Sequence, residues 1–249
     1  MAVDTAKLRS RERNFYTLMA VSLAIIVFAG FARTFYLQGM FPEVRGLAAP
    51  ERIFQVHGAI FTLWFAWLIA QCVLIRRREL RLHRTMGFVG VGLAILMFVV
   101  GIYGATVAAV RPGGFIGVPI PPNQFLAVPV FDLIMFGLFV AWAVVRRHDA
   151  QAHKRLMLFA TLNLLDAAVA RIPLPLIEQY APISMYFGSW LMLAAILAWD
   201  LVTLRKLHFV TVWATLLTLL SQVIRLAIMG TAPWIAFADW LTTTLPGHP

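Results

Sequence analysis

The sequence predicts an all-α fold, a polytopic membrane helix bundle of about seven transmembrane helices with a cytoplasmic N-terminus and a periplasmic C-terminus. Three observations lead there. The 249 residues are 61% hydrophobic and only 13% charged, with a mean hydropathy of +0.82. Soluble domains are about 45–50% apolar and about 25% charged, so this balance belongs to the membrane class. Second, seven apolar runs each approach the roughly 20 residues that a helix needs to cross hydrocarbon. Third, the basic residues gather in short clusters between those runs.

Span one covers 15–37 and follows a basic segment, 1–14. A cleavable leader is its rival reading, with Gly30-Phe31-Ala32 as a small-x-small site. The apolar run before that site is longer than the roughly 7–15 residues of a signal-peptide core, which favours a retained helix. Span two covers 53–75, and within it His57, Trp64 and Gln71 recur at i, i+7 and i+14, on one face. Span three covers 86–110. The loop 111–124, "RPGGFIGVPIPPNQ", is too rich in Gly and Pro for a helix and reads as an ordered lid or turn. Span four is 125–145. Span five, 156–172, is the shortest and most polar. Spans six and seven are 183–204 and 209–229. The tail 231–249 carries Trp234 and Trp240, which suits an interfacial segment. Residues 15–230 thus form one membrane domain.

Fifteen of the 21 Lys and Arg fall on one side: Lys7, Arg9, Arg11 and Arg13; Arg76, Arg77, Arg78, Arg81 and Arg84; Arg146, Arg147, Lys154 and Arg155; Arg205 and Lys206. The positive-inside rule assigns that side to the cytoplasm, and the expected location is an inner (cytoplasmic) membrane. The remaining six are Arg33, Arg45, Arg52, Arg111, Arg171 and Arg225. A net charge of +10 in this distribution points to lipid headgroups and away from nucleic acid, which wants a basic stripe interleaved with aromatics. The single cysteine, Cys72, sits in an apolar run and excludes an internal disulfide framework. "IRRRELRLHR" (75–84) and "VRRHDAQAHK" (145–154) align at an offset of 70, so 53–110 and 125–172 read either as a parallel repeat or as two loops basic for the same topological reason.

The ionisable residues inside the spans carry the functional reading. With 1.5 Å of rise per residue, Asp166, Asp132, His57, Arg33, Gln222 and Arg225 all fall within roughly 6–10 Å of the outer helix ends. Asn163 lies one turn deeper than Asp166, on the same face. A single Asp or Arg at a helix centre costs about 2.5–3.5 kcal/mol even on the mildest scales. The economical arrangement turns these groups inward and pairs the carboxylates with Arg33, Arg171 and Arg225. That makes a titratable pocket in the periplasmic half. The alternative is a static ion-pair network that only locks helices together, with the arginines snorkelling to the surface.

No HExxH, GxSxG, P-loop or GxGxxG-plus-acid pattern occurs, and no metal site is expected. No cofactor is predicted outright. A bis-His haem b is the alternative, with His83 and His153 at matching depth and Arg84 and Lys154 near enough for propionates. The blocks "HGAIFTLW", "LHRTMG" and "HKRLMLFAT", together with "FARTFYL", "FLAVPVFD" and "ARIPL", resemble a group of uncharacterised bacterial multi-pass membrane proteins in which HGxxFTxW, LHRxxG and HKRLMLxAT recur in this order. The resemblance covers roughly residues 31–175 and implies the architecture without a mechanism. A weaker similarity to cytochrome b561-like helix pairs rests on His83 and His153, and the second expected His pair is missing.

The expectation is therefore an integral membrane protein that binds a small polar or anionic ligand, or protons, for transport or sensing. Asp132 and Asp166 supply carboxylates, His57 exchanges protons, Asn163 and Gln222 orient, and Arg33, Arg171 and Arg225 supply counter-charge. A haem b electron carrier and a structural or assembly subunit are the competing readings. No catalytic residue is assigned.

Overall fold

The computed structural model describes residues 5–41 and 52–244; Arg45 and both chain ends of the sequence reading lie outside them. Every regular element among the described residues is helical. Helix α1 (Thr5–Phe31) takes in the described part of the basic N-terminal segment. A π-helical turn, Ala32–Tyr36, ends it. Then follow α2 (Arg52–Arg76), α3 (Leu80–Val110), the single turn α4 (Pro122–Phe125) and α5 (Ala127–Val145). Next come α6 (Ala150–Leu162), the short α7 (Asp166–Val169) and α8 (Pro175–Gln179), then α9 (Phe187–Leu204), α10 (Phe209–Ile228) and α11 (Ala232–Thr244).

Among the described residues, six helical segments are long and apolar enough to cross a membrane: 7–36, 52–76, 80–110, 122–145, 183–204 and 209–228. The chain is thus a multi-pass, membrane-type helical bundle. The predicted fifth span, 156–172, is not one continuous helix. It breaks after Leu162: the amides of Leu164 and Leu165 bond the carbonyls of Thr161 and Leu162, three residues back, and Asp166 opens a new turn. Asn163 explains where. Its Nδ2 donates to the Phe159 carbonyl at 2.8 Å and to Thr218 Oγ1 at 3.2 Å. A short amide side chain that bonds its own backbone competes with helix continuation. Broken helices at membrane depth are tolerated where protein covers them, and Asn163, Leu165 and Asp166 are fully buried.

Tight turns join the hairpins at the basic end of the bundle, around 77–79, 146–149 and 205–208. Asp149 starts α6 by accepting from the Gln151 and Ala152 amides at 3.0 and 3.1 Å. Those amides, Ala152's foremost, hold its carboxyl below the usual carboxylate range. His208 starts α10 with Nδ1 accepting from the Val210 amide at 3.2 Å. That cap requires an unprotonated Nδ1. Partial burial, then the Arg155 charge, holds the imidazole below its ordinary range. The unfolded chain therefore takes up this proton first as pH falls, and the capping contribution, full above the free-histidine range, is lost in acid. Thermal unfolding of the wild type should move to lower temperature between pH 7.5 and 5, and less so in His208→Asn, whose amide oxygen caps at any pH.

The loop 111–124 is ordered, with Gly113, Gly114 and Gly117 at positive φ and Phe115 edge-on to Phe125 at 4.9 Å. Helix begins inside its last residues, since Pro122 sits in the first turn of α4, where its missing amide costs nothing. The tail helix α11 docks on this end by Trp234, whose Nε1 donates to the Asn123 carbonyl at 2.9 Å, while Trp240 stays exposed. Between the ends, Trp64, Phe136, Phe139, Leu156 and Phe159 fill a core from which water is fully excluded.

Candidate functional site

Arg225 on α10 is the hub. Its Nη1 donates to Asp132 Oδ1 of α5 at 2.5 Å, and its Nη2 lies 3.1 Å from Asp166 Oδ2 at the start of α7. The guanidinium carbon stands 5.3 Å from the Tyr186 ring. Arg225 and Asp166 are fully buried and Asp132 is 2% exposed. The broken fifth segment delivers Asp166 here, because α7 is free of the direction that α6 imposes. One turn earlier on α10, Gln222 donates from Nε2 to Ser189 Oγ at 3.0 Å and accepts from Trp190 Nε1 at 2.8 Å. Asn163 reaches the same helix through Thr218. Two carboxylates face one guanidinium, so with all three ionised the cluster carries one net negative charge. In a low-dielectric interior that charge is expensive unless a proton or cation joins it.

Above the cluster lies a cavity of about 180 Å³ with Asp132 in its lining. Phe31, Phe35, Phe54, Phe61, Phe115 and Phe125 provide flat apolar walls. His57, Arg111 and Arg171 bring polar groups to the same space. His57 stacks on Phe61 with ring centroids 4.1 Å apart, and its buried Nδ1 has no hydrogen-bond partner among the described residues. Gly104 permits that position: a Cβ there would stand 3.1 Å from Nδ1. Arg171 donates from Nη1 to the Ala167 carbonyl and lies 5.0 Å from the Phe31 ring and 5.9 Å from the Phe125 ring. Arg111 donates from Nε to the Gly114 carbonyl at 2.8 Å and stacks over Phe54 at 4.2 Å.

The residues singled out in the sequence therefore divide. Asp132, Asp166, Arg225, Gln222 and Asn163 join through α10. His57 and Arg171 meet Asp132 only across the cavity. Arg33 sits on the π-helical turn with its guanidinium 5.6 Å from the Phe41 ring, outside the cavity lining. His83 and His153 stand apart at the basic end, with ring centroids 6.4 Å apart and nearly perpendicular planes.

Sequence reasoning missed a second buried pair. Arg155 of α6, 1% exposed, donates to Asp200 of α9, which is fully buried. Asp200 Oδ2 also accepts from Thr211 Oγ1 at 2.5 Å and from the His208 amide at 3.1 Å. Beside it Lys154 pairs with Glu12 of α1. Asp200 was findable by the rule that found Asp132, as a lone carboxylate in an apolar run. Arg155 was hidden among the basic residues of its loop. Among the described residues no group of three or more His, Cys, Asp or Glu could hold a metal ion.

No protein-family model, curated protein or solved structure matches this chain.

Proposed function

We propose that this is a bacterial inner-membrane protein, N-terminus in the cytoplasm, whose cavity binds a small organic anion from the periplasmic side for transport or sensing. The observation that carries this reading is the cavity's composition: two guanidiniums and an imidazole set among phenyl walls. Aromatic faces accept a flat apolar body, while Arg171 and Arg111 can recognise a carboxylate. Asp132 is already engaged by Arg225, so its charge opposes an anion less than a free carboxylate would. The wide basic end opposite the cavity supports the orientation.

Benzoate is the first probe, having a flat body and one carboxylate. Its binding to the purified protein in nanodiscs, measured by calorimetry, should weaken about 10- to 100-fold in Arg171→Gln, the loss expected for a charge-assisted hydrogen bond of about 1.5–3 kcal/mol. Equal affinity in the two proteins, or no binding of benzoate or of aliphatic carboxylates to the wild type, would remove this reading.

A second reading, a haem b carrier, draws on one observation. His153 Nδ1 lies 2.9 Å from the Ala143 carbonyl, an anchor that leaves Nε2 for a metal, and the His83 ring stands 6.4 Å away. Haem, if bound, would be held by His83 and His153 and would supply one-electron chemistry there. A visible spectrum of the purified protein with and without dithionite decides it: a Soret band that shifts on reduction supports haem, and a featureless spectrum ends it.

A further inference from the structure

One face of α10 is polar from end to end. Thr211, Thr215, Thr218, Gln222 and Arg225 follow one another at spacings of four, three, four and three residues, with Ser221 beside them. This is the i, i+3/i+4 rhythm of a single helical stripe. Thr211, Thr218, Gln222 and Arg225 are buried, while Trp213, Leu216, Leu220 and Val223 occupy the exposed face. The stripe rises roughly 21 Å, most of the roughly 30 Å of hydrocarbon. It begins on one buried carboxylate, Asp200, which accepts from Thr211, and ends on two more, Asp132 and Asp166, at Arg225.

A seam of this kind has an ordinary explanation, interhelical bonds that hold the bundle together. The bonding pattern argues against that as the full account. Elsewhere, Thr17, Thr62, Thr161 and Thr203 donate to the carbonyl four residues back at 2.6–2.9 Å. That is how a threonine satisfies itself in a membrane helix. Along the stripe, Thr215 Oγ1 and Ser221 Oγ are buried without a protein partner among the described residues, as are Asn163 Oδ1 and Asp132 Oδ2 beside it. Asn163 is fully buried and Asp132 is 2% exposed. Buried polar groups left unmet by protein are met by internal water, and a water spans the 5–6 Å that separates hydroxyls one turn apart.

We infer that this seam is a proton path across the bundle, running from Asp200 through Thr211, Thr215, Thr218 and Ser221 to the Asp132–Asp166–Arg225 cluster. At each hydroxyl and water one O–H bond forms as the next breaks, so a proton leaves one side for each that arrives at the other. No electrons move; the cluster end of the path meets the cavity that Asp132 lines, and the buried Asp200 end lies, through the His208 amide, against the turn 205–208, whose residues 205–207 are exposed. The inference rests on the bundle spanning a membrane and is independent of what the cavity binds.

The test is passive proton flux in liposomes of neutral lipid holding the full-length protein and a trapped pH dye. A potassium gradient with valinomycin supplies the driving potential and the compensating charge. The wild type should acidify or alkalinise the lumen well above protein-free vesicles. Thr215→Val, nearly isosteric but without the hydroxyl, should lower that flux at least ten-fold, and Thr215→Ser should keep it. Thr85→Val, on an exposed site of α3, is the control and should match the wild type. Wild-type flux no greater than in empty vesicles, undiminished flux in Thr215→Val, or equal loss in Thr85→Val would each overturn the path. If Thr215→Val enters detergent-extracted vesicles poorly, Thr218→Val offers the same comparison one turn away. Benzoate binding reports on the cavity separately, so either idea can fail alone.

Discussion

Arg225→Met is expected to destabilise the bundle by about 3–5 kcal/mol, the usual cost of removing one member of a buried ionic network. For a chain of this size that corresponds to a fall of roughly 10 °C in the midpoint of thermal unfolding in detergent. The reason lies less in the lost ion pairs than in what stays behind. Asp132 and Asp166 approach the same guanidinium from α5 and α7, and neither is reached by solvent to any extent. Without Arg225 they must be buried as anions, bind protons, or drag α7 outward. Methionine is chosen because it fills much of the same volume, which separates the charge from a cavity effect. The decisive comparison is the triple variant Arg225→Met/Asp132→Asn/Asp166→Asn. It keeps the packing and removes every charge, and should recover most of the lost stability. If the single variant unfolds like the wild type, the three charges do not form the buried cluster described. If the triple variant is as unstable as the single one, the arginine's role is steric.

The cluster was legible in the sequence only to a point. Hydrocarbon penalises any isolated charge, so Asp132, Asp166 and Arg225 within apolar runs had to turn inward and find partners. Which partners they found could not be read. Three arginines stood near the right depth, and one takes both carboxylates because α10 faces α5 and α7 together. Arg171 settles on backbone and phenyl rings and Arg33 beside Phe41, choices made by local geometry that depth does not encode. The break in the fifth segment was hidden more deeply. Leu164 and Leu165 look like helix interior, and the signal is a single side chain, Asn163, bonding back to Phe159 and across to Thr218. The stripe on α10 was present in the spacing all along. It passed unnoticed because hydropathy averages over both faces of a helix, and a half-polar helix with a greasy back still scores as a span.

The second large effect concerns a position that reads as inconspicuous, or as part of a leader cleavage site. Gly30→Ala should cost about 3 kcal/mol, at the upper end of what overpacking does, because the atoms in its way cannot step aside. A Cβ at Gly30 would stand 2.2 Å from the Ala168 carbonyl oxygen, 2.6 Å from its carbonyl carbon and 2.8 Å from its Cα. All three belong to the backbone of α7, so relief requires separating α1 from α7 as bodies. That separation reaches the site by a short route. Asp166 opens α7 two residues before Ala168, and Ala167 accepts the hydrogen bond that steadies Arg171. Phe31, next to Gly30, lies against the Arg171 guanidinium. Gly30→Ala is therefore expected to weaken benzoate binding along with stability, whereas Gly92→Ala is the counter-case. Nothing lies within 4 Å of a Cβ built at Gly92, on the exposed side of α3. There the methyl only improves helix propensity, by up to about 1 kcal/mol. Thermal unfolding of the two variants side by side, with calorimetry on each, checks both halves. Equal behaviour would mean that α1 and α7 do not approach backbone to backbone, and that the broken segment carrying Asp166 is held by something other than the first helix.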